Sequence, residues 1–126
     1  MAMTTREPKI PGPDHPITIE ATGARVVARV GTRVIADTTR ALTLRETNYP
    51  PVQYIPLDDV DRTLLTPSAT KTYCPYKGDA SYYGLALAEG DRTDAVWFYP
   101  EPYESVADIA GHIAFYTDQV DIAVGT

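Results

Sequence analysis

The sequence predicts a mainly β fold: a small single-domain antiparallel sheet, curled or closed into a barrel of short hairpins, with one or two short helices. Three observations lead there. Runs of β-branched and aromatic residues are short, Gly, Pro, Asn and Asp punctuate them at close intervals, and one segment alone has apolar residues at a credible helical spacing. Closure into a barrel is how antiparallel sheets remove exposed edges.

Residues 1–16 hold four of the eleven prolines and show no alternation, so they are expected to form an extended leader lying over a single β-rich domain of residues 17–126. Four runs follow, at residues 17–22, 25–30, 33–38 and 41–46. Gly23-Ala24, Gly31-Thr32 and Thr39-Arg40 separate them, which reads as a meander of hairpins.

The turn at Val30-Gly31-Thr32-Arg33 allows two registers. A two-residue turn pairs Val30 with Arg33 and sets Arg33 on the face of Val26 and Ala28. A three-residue loop pairs Val30 with Val34 and gathers Val26, Ala28, Val30, Val34 and Ala36 on one apolar face. The second is favoured, because an inward arginine needs a partner.

Tyr49-Pro50-Pro51 ends this region and residues 52–55 read as a short extended piece. Pro56 and the acidic Leu57-Asp58-Asp59-Val60-Asp61 read as a turn or a short helix ending near Leu65. Residues 70–74 and 80–88 alternate as strands about a Pro75-Tyr76-Lys77-Gly78 turn, and Glu89-Gly90-Asp91-Arg92 turns into a strand at 95–99. Ser105 can cap a helix over 105–113, where Val106, Ile109, Ala110 and Ile113 recur at three- and four-residue intervals. Short strands at 114–116 and 120–124 close the chain about Thr117-Asp118-Gln119.

Composition excludes several classes. The 126 residues suffice for one core, and 44% apolar with 22% charged residues is globular rather than disordered. Seventeen acidic against eleven basic residues argue against general nucleic-acid binding, which needs a basic surface. Cys74 is the sole cysteine, and His15 and His112 have no metal-ligand spacing with it, so neither a disulfide nor a metal site is expected and no cofactor is indicated. With no signal-like start and no stretch of about 20 apolar residues, the cytoplasm is the expected location and no membrane partner is expected.

Candidate site residues fall between Arg45 and Trp97. Cys74 and Lys77 flank a tight turn, and an ammonium close to a thiol favours the thiolate, so the pair is the candidate catalytic element; the alternative is a packing cysteine and a salt-bridged turn lysine. Lys77 with turn amides near Gly78 can also hold a phosphate or carboxylate, although no phosphate-loop or dinucleotide fingerprint is present. Arg45, Glu46, Asp59 and Asp61 place charge near strand ends, where paired carboxylates could hold a metal or work as acid and base. For Asp59 the competing role is a helix cap, and for Glu46 a structural ion pair with Arg45. Nine tyrosines and one tryptophan are many for this length, and Tyr54, Tyr76, Tyr82 and Trp97 are candidates for an aromatic ligand pocket as well as for core packing. Of Tyr82 and Tyr83, neighbours on one strand, one is expected to point inward and the other out.

Five ordered stretches carry a resemblance. Cys74-Pro75-Tyr76-Lys77-Gly78-Asp79-Ala80-Ser81-Tyr82-Tyr83, with Tyr54-Ile55-Pro56-Leu57-Asp58-Asp59-Val60 before it, Trp97-Phe98-Tyr99-Pro100-Glu101-Pro102 after it, and the flanking 31–46 and 111–116 stretches, resembles the domain of unknown function 427 family. The resemblance implies a small, β-rich, mainly bacterial domain without an assigned reaction, and a nucleotidyltransferase-type activity by the family's label alone. Leu57 and Asp58 stand here where family members often carry a basic residue before the Asp-Val pair.

The residues themselves point to a small-molecule pocket, for an anionic ligand, around the Cys-Pro-Tyr-Lys-Gly turn. The alternative is a non-catalytic module that binds a protein partner or a second copy of itself through an exposed aromatic face.

Overall fold

The computed structural model describes residues 7–125, which form ten strands in two antiparallel sheets. The first four runs become β1 (Ile17–Ala21), β2 (Val26–Val30), β3 (Arg33–Thr38) and β4 (Leu42–Glu46). They do not form the expected meander. β1 pairs with β4, opposing Ile17 to Glu46, while β2 and β3 leave the sheet as a hairpin and take β10 (Asp121–Val124) as their third strand. The reason lies in β2, where Val26, Val27, Ala28 and Val30 are all buried. A strand apolar on both sides of its pleat needs cover on both faces, as the middle strand of a packed sheet.

The large sheet runs β1-β4-β5-β9-β8-β7-β6 and adds β5 (Val52–Pro56), β6 (Leu65–Cys74), β7 (Gly78–Leu85), β8 (Arg92–Phe98) and β9 (His112–Phe115). It is open, with β1 and β6 as edges, so no barrel closes. β6 starts five residues before the expected strand. Pro67 reads as a breaker, yet on an edge strand its missing N–H costs no ladder bond, and a register shift between Pro67 and Lys71 absorbs it.

The central strands bury both faces. Ile55, Val96, Ile113 and Tyr83 pack on the side of the small sheet, and their chain neighbours Tyr54, Trp97, Ala114 and Tyr82 pack on the other. Tyr82 and Tyr83 therefore do alternate, but both sides are packed and neither ring is simply outward. Each large side chain buried this way contributes about 1.5–3 kcal/mol.

The Val30 to Arg33 turn has two residues, with Gly31 at φ +58°, a left-handed conformation that suits glycine. Val30 faces Arg33, the register the sequence disfavoured. The apolar face survives nevertheless, because the ladder shifts so that Arg29 faces Val34 and Ala28 faces Ala36, leaving Ile35 as the extra residue of a bulge. Ile35 is 1% exposed and Val34 is 42% exposed, and Arg33 stays outside, 2.9 Å from Asp61.

Three short 3₁₀ helices complete the chain: Leu57–Asp59, Arg62–Leu64 and Glu104–Ile109. The third replaces the expected helix over 105–113. Its backbone breaks at Val106 (φ −128°), so two turns bury Val106 and Ile109 against the large sheet, while Ile113 is buried from β9. The apolar spacing was satisfied by a change of element, not by one continuous helix.

Candidate functional site

The site lies on the face of the large sheet away from the small one. Strand alternation along β4 turns Leu44 inward and Glu46 after it to the same side, and sends Arg45 outward, where it is exposed. Opposite the end of β4 stands the turn between β6 and β7. It closes through a bond from the Lys77 amide to the Cys74 carbonyl (3.2 Å) and is held from outside by Lys9 N–H on the Pro75 carbonyl (2.8 Å) and Tyr103 N–H on the Lys77 carbonyl (3.0 Å). Gly78 permits the close packing: its φ is +112°, and a Cβ there would sit 3.4 Å from the Glu101 carbonyl oxygen.

Held in this way, Lys77 is only 7% exposed and places Nζ 2.5 Å from Glu46 Oε1. The other carboxylate oxygen, Oε2, is 2.6 Å from His15 Nε2. His15 comes from the leader, where reciprocal backbone bonds with Gly12 form a tight loop, and its ring stacks on Tyr76 at 3.9 Å and 5°. Burial pushes the Glu46 carboxyl up, but hydrogen bonds from Lys77 and His15 outweigh it and hold the group below its ordinary range. Lys77 also lies 3.7 Å from Cys74 Sγ.

Beside this cluster opens a cavity of about 240 Å³ walled by Leu44, Val52 and six aromatic rings, with Glu46 and Lys77 the sole charged residues among its lining. Trp97 Nε1 donates to the Tyr54 hydroxyl at 3.2 Å and the rings meet edge to face. Burial pushes the phenols of Tyr54 and Tyr99 far up, and desolvation raises Tyr116 to about 12, so all three remain protonated near neutrality. A larger, mostly apolar cleft of about 570 Å³ adjoins it, sharing Tyr49, Pro50, Val52, Trp97 and Tyr116 and adding Phe115, Ile122 and Val124.

Of the residues singled out in the sequence, the fold brings together Cys74, Lys77, Glu46, Tyr54, Tyr76, Tyr82 and Trp97. It leaves out Arg45 and Asp59. The Asp59 carboxylate accepts from Thr38 (2.6 Å) and Arg40 (3.1 Å) beside β3, and these bonds hold it below its ordinary range. His15, Tyr49, Tyr99 and Tyr116 were not foreseen as site residues. Tyr99 was accessible, since it follows Trp97 by two and so shares its side of the chain. His15 carried no signal, because its partner Glu46 is 31 residues away.

Among the described residues, no group of three or more His, Cys, Asp or Glu could hold a metal ion, and no helix is long and apolar enough to cross a membrane. A family model described as Domain of unknown function (DUF427) matches residues 18–126, a span that leaves out His15. No curated protein matches the chain.

Proposed function

The chain belongs to the DUF427 family, and from that premise we propose that it is a small-molecule binding protein whose ligand enters the aromatic cavity and meets the Glu46–Lys77 pair at its end. One observation carries this reading: a nearly buried, ion-paired lysine beside a ring-lined hollow. Burying a charged pair costs desolvation energy that apolar residues of the same volume would not incur, so its presence at a cavity wall favours a role in recognition. Lys77 in the cavity wall, with Cys74 Sγ 3.7 Å from its Nζ, supplies the groups for covalent or acid-base chemistry on a bound substrate. Nucleotidyl transfer has the weaker support, since the pocket offers one carboxylate and no second to share a metal. We place the protein in the cytoplasm.

Trp97 is the sole tryptophan, so its indole N–H gives one NMR resonance inside the site. Ring-containing fragments titrated against labelled protein are expected to move that resonance saturably in the native chain, and to lose the effect in Val52→Phe, which adds a ring to the cavity wall. A library that leaves the resonance still, or that binds Val52→Phe equally well, overturns the pocket.

The adjoining cleft favours a second reading, a docking surface for a protein partner or a second copy, because Tyr49 and Val124 beside it are 60% and 52% exposed. Sedimentation across a concentration series tests the self-association arm.

A further inference from the structure

The sequence pointed to an anionic ligand, and the cavity's charges argue otherwise. Lys77, the one cation of its lining, is already bonded to Glu46, whose second oxygen is occupied by His15. A phosphate or carboxylate entering here finds no unpaired cation and approaches a carboxylate that repels it. Arg45, the nearest basic residue along the chain, is on the outward side of β4. The larger cleft adds no charged residue.

Hydrogen-bonding capacity is nevertheless present. The Tyr54 hydroxyl accepts from Trp97 Nε1, and among the described residues none accepts its own proton. That phenol stays protonated because burial opposes its ionisation. The polar end thus presents a neutral donor beside a charge-balanced pair, and the walls are rings that stack planar groups.

Resting on the pocket reading above, we propose that the ligand is an uncharged planar ring compound with a hydroxyl or carbonyl head, which accepts from the Tyr54 hydroxyl while its body lies along Trp97 and Tyr116 in the apolar cleft. The ring pair is 4.5 Å apart at 46°, so a planar body enters beside it along the apolar cleft rather than between stacked faces.

The test is a matched series of 2-naphthol, 2-naphthoate and 2-naphthyl phosphate, with affinities read from the Trp97 indole resonance and from calorimetry. Naphthol is expected to bind at least about tenfold more tightly than either anion, a gap of about 1.4 kcal/mol. Tyr54→Phe, which keeps the ring and removes the donor, is expected to weaken naphthol binding about tenfold while the variant keeps a native spectrum, and unchanged affinity overturns the assigned hydrogen bond. Equal or tighter binding of naphthoate or the phosphate overturns the neutral-ligand inference and leaves the pocket standing. If none of the three binds, the inference falls, and the fragment titration against Val52→Phe decides separately whether the pocket falls with it.

Discussion

Glu46 and Lys77 are 31 residues apart in the chain and 2.5 Å apart in the fold, with 13% and 8% of their side chains exposed. That contact ties the end of β4 to the β6–β7 turn and sets the charge balance of the cavity. Removing Glu46 leaves Lys77 buried without its carboxylate, removing Lys77 leaves Glu46 with His15 alone, and removing both leaves neither charge.

Lys77→Met is accordingly expected to destabilise the protein by about 3 kcal/mol. Lys77→Met combined with Glu46→Leu is expected to recover part of that loss, because no unpaired charge remains. Urea unfolding of the two variants and the native chain checks both statements. A double variant less stable than Lys77→Met would show that the pair contributes through its bonds rather than through mutual compensation.

Acid dependence follows from the direction of the Glu46 shift. Its folded value is lowered, so the unfolded chain takes up the proton first, at about pH 4.3. The stabilisation is complete above that pH and is lost as pH falls through the folded value. Glu46→Gln cannot lose it. The difference in melting temperature between native and Glu46→Gln protein is expected to shrink as pH falls below about 4.3. A difference that is flat throughout would mean that the carboxylate gains nothing from Lys77 and His15.

Val34 and Ile35 test the bulge in β3. The sequence pattern assigns Val34 to the core, whereas the fold buries Ile35 and exposes Val34. Ile35→Ala is expected to cost about 2–5 kcal/mol, the range for deleting a buried aliphatic side chain. Val34→Ala should stay within about 1 kcal/mol. Equal losses at the two positions would mean that the three-residue loop forms instead.

This pair of residues also shows what the sequence could and could not disclose. Alternation of polarity located most strands and set Tyr82 and Tyr83 on opposite faces, because period-two burial is a local property. A bulge inserts one residue and reverses the alternation beyond it, and no local pattern announces where that happens. The same holds for the site. Lys77 and Cys74 were legible because one turn holds both. The partnership of Glu46 with Lys77 and His15 depends on which strands become neighbours, and β1 pairing with β4 across the departing β2–β3 hairpin was not written in any single segment. The helix expected over 105–113 failed for a related reason: apolar residues spaced three or four apart were buried by two 3₁₀ turns and a strand.

Gly84 and Asp94 mark a second irregularity, where β7 and β8 slip register between Tyr83 and Leu85. A Cβ on Gly84 would lie 2.7 Å from Thr66 Oγ1 and 3.0 Å from the Arg92 carbonyl oxygen, the second of which is backbone and cannot swing aside. Across from it, Asp94 adopts φ +52°, a strained conformation for a residue with a Cβ, and its carboxylate accepts from Ser68 Oγ (2.5 Å) and Thr70 Oγ1 (2.7 Å). Those bonds hold the backbone in that conformation and tie β8 to β6 over the bulge. Gly84→Ala is expected to destabilise by about 1–3 kcal/mol through overpacking. Asp94→Asn, which keeps a short acceptor and tolerates the left-handed region, should be milder than Asp94→Val, which loses both bonds and adds a β-branch where φ is positive. Thermal unfolding of the three variants orders them. If Asp94→Val matched Asp94→Asn, the strain at this position would not depend on the side-chain bonds, and the bulge would rest on Gly84 alone.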